Sequence, residues 1–429
     1  MKIIKYPNRS TWNELLKRPE IDRSELESVV TKIFNDIKNN GDKAVLNYTF
    51  KYDKVKLSTI IVSEGEIAEA KKLVNDSLKK AITEARNNIE RFHISQNIPT
   101  KIIETTQGVK CWQKSTPIKK VGLYVPGGTA PLFSTVLMLG IPAMIARCKE
   151  IVLCSPPGKD GKLAPSILYT ADLIGIKKIF KTGGVQAIGA MAFGTESVPK
   201  VYKIFGPGNQ YVMAAKQKVN LEGIAIDMPA GPSEVAVIAD KTSNPAYVAS
   251  DLLAQAEHGK DSQVILFTTE AGIIQDVLKE LDQQLSELPR KDIASVALEN
   301  SKAIILGNEV DLMDMVNEYA PEHLIISIDD AEKLGDKVLN AGSVFLGHLT
   351  PESAGDYASG TNHTLPTKGF AKAYNGVNLD SFVKKITFQQ ISENGIFNIG
   401  PTIEMMAMEE NLYGHKNSIS IRLNKVINK

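Results

Sequence analysis

Cysteine is scarce: Cys111, Cys148 and Cys154 are all that the 429 residues contain. An odd, sparse set without paired metal spacing excludes a disulfide framework and suits a reducing compartment, so all three read as core or near-core thiols. Charge of one sign is equally lacking. Lys+Arg 50 against Asp+Glu 49 leaves a net +1, which offers no global field for nucleic acid or an anionic membrane surface and leaves a small molecule as the expected partner. Long hydrophobic runs are missing too. The opening MKIIKYPNRSTW has no apolar stretch fit for a signal peptide. The most apolar segment, Leu132 to Ala146, is interrupted by Ser134, Thr135, Gly140 and Pro142 and is too short to span a bilayer. The expectation is a soluble cytoplasmic protein.

What is there is an ordinary globular composition, 43% hydrophobic and 23% charged, with length for about three domains. Residues 1–20 lack periodicity and read as an N-terminal arm. From Arg23, apolar residues Leu26, Val29, Val30, Ile33 and Ile37 recur at helical steps as far as Asn39-Asn40-Gly41. A second helix runs from Asp42 toward Tyr48, and a third covers about 64–94 with a break near Asn75. After Lys119 short apolar runs alternate with helices, first over 117–232 and again over 233–369, each the pattern of a parallel sheet with helices on both faces. The expected fold class is α/β, with two Rossmann-like parallel-sheet domains, one inserted in the other. In this division 21–116 joins 233–369, and 117–232 is the insertion. Residues 370–429 form a C-terminal tail too thin for a core of its own, expected to dock on another domain or subunit.

The polar motifs gather at element ends. In Asp251-Leu-Leu-Ala-Gln-Ala-Glu-His-Gly259, Gln255 and His258 project from one face of a helix's last turn, with Gly259 as the cap. The pair could meet a metal or a substrate, but on spacing alone a solvated helix end is the commoner case, since two ligands do not make a metal site. Pro126-Gly127-Gly128, Gly183-Gly184 and Gly206-Pro207-Gly208-Asn209 each pass from strand to helix, where backbone amides can face an anion. None spells G-x-G-x-x-G, so packing turns and a nucleotide-sized ligand stand about level. Glu322 and His323, adjacent in a βα-type loop, can share proton work. The loop carrying Glu352, Asp356 and His363 is dense in Gly, Ser and polar ligands and long for a passive connection. His415 stands in the tail, and His93 and His348 read as structural.

Seven motifs in order carry a family resemblance: GLYVPGG at 122–128, TGGVQAIGAMAFGT at 182–195, GPGN at 206–209, AGPSE at 230–234, AQAEHG at 254–259, YAPEHL at 319–324 and SAGDYASGTNHTLPT at 353–367. Together, over about 110–430, the chain resembles histidinol dehydrogenase. The resemblance implies a zinc-requiring enzyme, one Zn2+ per subunit, that oxidises L-histidinol through L-histidinal to L-histidine with two NAD per turnover. It implies Gln255, His258, Asp356 and His415 as zinc ligands, and Glu322 and His323 as the acid–base pair, with Glu322 activating water at the aldehyde stage. It further implies Ser233, His363 and Glu410 near the substrate, alongside His323 and the zinc ligands, and Tyr124, Gln186 and Asn209 against NAD. By the same resemblance the tail crosses to a partner subunit in a homodimer, where His415 completes the neighbour's site. Two other readings stay open on the residues: a zinc hydrolase with Glu322 as the water-activating base, and a two-lobed binding protein without turnover.

Overall fold

The computed structural model describes residues 1–19, 23–127, 131–229 and 231–428. Gly128 of the first glycine turn, Ala230 of the AGPSE motif and residues 20–22 at the end of the arm lie outside the described residues.

Two parallel sheets organise Met1–Gln96 with Ile118–Phe382, which form one compact unit. The larger has six strands in the spatial order Lys2–Lys5, Lys302–Ile305, Gln263–Thr268, Glu234–Ala239, His323–Ser327, Ser343–Leu346. Glu234–Ala239 and Gln263–Thr268 are buried along their whole length, as strands covered on both faces must be. The period of two still sorts their side chains. Val235, Val237, Val264 and Leu266 join Leu252, Leu253 and Val277 on one face; Ala236, Ile238, Ile265 and Phe267 join Leu312, Met315 and Val316 on the other. The smaller sheet runs Lys178–Lys181, Glu150–Ser155, Lys120–Tyr124, Lys203–Phe205, Ala225–Ile226. The named strands of both sheets pair in parallel, so the α/β class with two Rossmann-like sheets is what the chain builds.

The N-terminal segments sit otherwise than the sequence suggests. Lys2–Lys5 is an edge strand on Lys302–Ile305, and Trp12 and Leu16 are buried in the core of that sheet. Four residues are too few for periodicity to register, so the arm hides a strand. The helix Arg23–Asp53, kinked at Gly41, lays Val30, Ile33, Phe34 and Ile37 against Val152, Val185 and Ile188 of the smaller sheet's layer. The expected grouping puts 21–116 with 233–369 instead. An apolar stripe says that a helix must be covered, not by which sheet. The break near Asn75 is a cap, the Asn75 side chain accepting from Leu78 N ahead of Asp76–Ser95.

The most apolar run becomes the helix Phe133–Ile145, buried over most of its length, and no helix among the described residues is long and apolar enough to cross a membrane. His93 is buried with Nδ1 2.8 Å from the Ile89 carbonyl, and His348 is held between Ser327 and Asp329.

A second compact unit joins Asn97–Pro117 to the chain from Val383 onward. Val383–Ile391, Val109–Pro117 and Ile102–Thr106 make an antiparallel sheet, and the helices Glu393–Glu409 and Tyr413–Ile427 pack on each other. The tail thus gathers a small core by recruiting two strands from far upstream. Phe397, Met405, Met406, Tyr413 and Ile421 remain exposed on this unit.

Candidate active site

The crossover helix Pro245–Ala256 leaves strand Glu234–Ala239 and returns to the edge where the next parallel strand begins. Its last turn therefore delivers Gln255 to the amino edge of the large sheet. Glu234 and His323 open their strands at that same edge, with His323 paired to Val235 and Ser343. The expected βα-type loop at Glu322-His323 is thus an αβ turn. Its cause is Ala320, whose φ of 49° ends the helix Glu309–Tyr319 in the left-handed region and swings the chain into the strand. Gly342 lets the neighbouring strand approach: a Cβ there would stand 2.5 Å from the Glu322 carbonyl oxygen. The helix carrying Gln255 stops at Ala256 with a right-handed C-cap at Glu257, so His258 lies one turn beyond it and Gly259 is not the cap.

Gln255 is fully buried. Its Nε2 donates to the Glu234 carbonyl at 3.1 Å and lies 3.0 Å from His323 Nδ1, and that ring nitrogen is 3.3 Å from the same carbonyl. Glu322 Oε2 accepts from Glu234 N at 2.9 Å. His323 Nε2 faces Asp356 Oδ1 at 3.5 Å. His363 Nδ1 donates to the Asp356 carbonyl at 3.0 Å, with Nε2 3.2 Å from Thr135 Oγ1. His258 is exposed and sets Nδ1 3.3 Å from Ser233 Oγ. Four buried polar atoms here have no hydrogen-bond partner: Gln255 Oε1, His323 Nε2, Glu352 Oε2 and Asp356 Oδ1.

Stranding polar atoms in this way costs about 1–3 kcal/mol apiece, more for charged groups. A cation amid two carboxylates, an amide oxygen and imidazole nitrogens would satisfy them, so the donor set fits a divalent metal. His323, Glu352 and Asp356 bring ligand atoms within 4.8 Å of one another. That trio shares only Asp356 with the ligand set the resemblance implies.

Protonation follows from crowding. Burial pushes Glu322 up to about 8 against the pull of His323. Burial would depress His323, but Glu352, Glu322 and Asp356 outweigh it and lift the imidazole to about 10. Burial also raises Glu352 well above the carboxylate range, while Asp356, despite its own burial, is drawn below that range by His323, His363 and His258.

Sequence reasoning left Glu352 without a role. Its signal was the four-residue step to Asp356 on one short helix, Glu352–Tyr357. Arg18 and Glu234 were missed altogether. Arg18 clamps the Glu234 carboxylate at 2.7 and 2.9 Å and donates to the Tyr319 carbonyl, tying the start of the Glu234–Ala239 strand to the end of the helix that leads into His323–Ser327. Nothing in the polar N-terminal segment marks that arginine.

The smaller sheet offers its carboxyl edge. Gly206 has φ 131°, and a Cβ there would lie 2.1 Å from the Tyr124 carbonyl oxygen, so only glycine lets the 203–205 strand leave beside Tyr124. Tyr124 Oη accepts from Gly184 N at 3.2 Å, and Asn209 Oδ1 caps the helix Gln210–Leu221. Tyr124, Gln186 and Asn209 line one cavity of about 480 Å³. A second, of about 330 Å³, shares Tyr124, Gly127 and Asn209 with it and is also lined by Ser233 and His258. Two helix N-termini, at Gly184 and Gln210, open beside the first cavity. On the second unit, Glu410 follows the helix Glu393–Glu409 and His415 lies in the first turn of Tyr413–Ile427, both exposed.

Comparison with known proteins shows a family. Residues 16–423 match the histidinol dehydrogenase family. The chain is 59% identical over 424 residues to a histidinol dehydrogenase of Bacteroides thetaiotaomicron, covering 99% of each, and 50% identical over 414 residues to that of Escherichia coli strain K12, covering 96% of this chain and 94% of the other. The crystal structure of histidinol dehydrogenase from Elizabethkingia anophelis superposes with a TM-score of 0.97 at 57% identity, over 100% of this chain and 99% of that one.

Proposed function

The chain belongs to the histidinol dehydrogenase family, the enzymes that oxidise histidinol to histidine, and we propose that it does so as a zinc- and NAD-dependent four-electron dehydrogenase of L-histidinol. The observation that carries the reading is that two cavities share walls: a nucleotide-sized space at one sheet's carboxyl edge shares Tyr124, Gly127 and Asn209 with a second space lined by Ser233 and His258, beside the cation-ready cluster. A hydrolase has no use for the first cavity.

In this reading Gln255, His258 and Asp356 hold zinc, with His415 of the partner subunit. Zinc is redox-silent and supplies a fixed point for the substrate's nitrogen atoms, while NAD accepts the hydrides. Gln255 has one atom to offer, Oε1, because its amide nitrogen is spent on the Glu234 carbonyl. A divalent charge in the cluster would offset the carboxylates that lift the imidazole to about 10, and His323 in its neutral form takes the hydroxyl proton at Nε2, with Nδ1–H directed at the Glu234 carbonyl. Glu322 has Oε2 occupied by the Glu234 amide, so Oε1 takes the proton of the water that adds to the aldehyde. Ser233, His363 and Glu410 border the substrate, the last from the partner.

Tyr124, Gln186 and Asn209 contact NAD in the 117–232 part of the chain. The exposed apolar residues of the second unit, Phe397, Met405 and Met406 among them, support a homodimer in which the tail is exchanged. Three free thiols support a cytoplasmic setting. The test is NADH absorbance on adding L-histidinol and NAD, repeated after chelation and after zinc is restored. Two NADH per histidinol, tracking the metal, is the expected result; no NADH with zinc bound would overturn the reading.

A further inference from the structure

The large cavity beside Tyr124 has a single charged lining residue among those described, Asp53, the last residue of the helix Arg23–Asp53. Everything about that position works against a carboxylate. It stands at a helix C-terminus, where the helix dipole disfavours an anion. Its Oδ2 is buried without a hydrogen-bond partner, and no ion pair reaches it among the described residues. Burial alone, unopposed by any cation, lifts it to about 6. A group held at such cost while bordering a cavity is one that a ligand satisfies.

The usual place for an acid that grips the adenosine ribose in such sheets is the end of the second strand. Here that strand is Glu150–Ser155, and its end contributes Pro156 to the cavity wall, with no acid. Asp53 borders the same space as Pro156, reaching it from the helix packed on the sheet. Asp53 lines only the cavity remote from His258, and His258 lines only the other. The reactive end of a bound dinucleotide belongs at His258, so its adenosine end belongs at Asp53.

We propose that Asp53 selects the unphosphorylated dinucleotide: its carboxylate accepts hydrogen bonds from the adenosine ribose hydroxyls and rejects a 2′-phosphate by like-charge repulsion in a partly buried site. This rests on the dinucleotide reading of the cavity. A carboxylate hydrogen bond and a like-charge clash of this kind each shift an equilibrium by about tenfold or more.

The test is steady-state oxidation of L-histidinol by the zinc-loaded dimer with NAD and with NADP, for the unaltered protein, Asp53→Asn, Asp53→Ser and Asn209→Ala, alongside direct binding of NADP followed by calorimetry. Asp53→Asn is isosteric and removes an unsatisfied charge, so folding is retained. The expected result is that both Asp53 variants raise the KM for NAD and lower that for NADP, moving the ratio of the two by at least about tenfold, with tighter NADP binding. If Asn209→Ala raises the KM for NAD while the Asp53 variants leave the ratio in place, the assignment of Asp53 is wrong and the cavity reading stands. If no variant touches either dinucleotide, the cavity reading itself fails.

Discussion

Nδ1 of His323 lies 3.0 Å from Nε2 of Gln255, and the two nitrogens share the Glu234 carbonyl at 3.3 and 3.1 Å. This small knot settles which atoms face the cluster: the amide turns Oε1 inward and the ring turns Nε2 toward Asp356. A buried amide thereby fixes the direction of its own oxygen and of the neighbouring imidazole.

Gln255→Leu should undo both at once. Zinc affinity is expected to fall by at least about 100-fold and turnover with it, read as metal content after dialysis and as kcat. Retained zinc with full activity would remove Gln255 from the ligand set.

His323→Asn should separate the two roles. Zinc stays bound while kcat drops by about 10²–10⁴-fold, the range for a positioned proton acceptor. A variant that loses its metal instead would make His323 a ligand, as its closeness to Glu352 and Asp356 allows.

Glu322 works as a base only when ionised, and burial lifts it to about 8. Hydration of the aldehyde should therefore quicken as pH rises through that value. In Glu322→Gln the pH dependence of this step should flatten and the reaction should slow after the first NADH, with aldehyde trapped by a hydrazine reagent. Two NADH at the normal rate would exclude the role.

Two inactive proteins should rescue each other if the tail is exchanged. In a mixed dimer of His323→Asn and His415→Asn one site keeps both histidines, so unfolding and refolding the mixture together should restore about one quarter of the activity. No recovery from verified mixed dimers would place His415 in its own subunit's site.

Asp251 is buried, has no hydrogen-bond or ion-pair partner among the described residues, and is lifted to about 7 from 3.8 by burial. Between those values the folded state holds a proton that the unfolded chain has released, so the favourable contribution is full below about pH 4 and is lost as pH rises through 7. Asp251→Asn should match the parent at pH 4 and exceed it at pH 8 by up to about 4 kcal/mol, at 1.36 kcal/mol per unit, seen as a higher Tm. Equal Tm values at pH 8 would mean that Asp251 carries no such penalty.

The sequence by itself determined the layers, the glycine turns and most of the polar residues, because these depend on local chemistry. The apolar runs at 234–239 and 263–268 must be covered on both faces wherever they lie, and Gly206 must precede a close backbone approach. Only the tertiary structure decided which surfaces meet. The stripe Val30, Ile33, Phe34, Ile37 is equally apolar against either sheet, and it went to the smaller one. That choice carries Asp53 to the rim of the large cavity. His323 was legible as a proton carrier, yet its place at the amino edge, beside a Glu352 without an assigned role, follows from a left-handed Ala320 and from the crossover that brings Gln255 back across the sheet. Periodicity encodes what a segment must bury; the partner that buries it is fixed by contacts between residues hundreds of positions apart, such as Arg18 with Glu234.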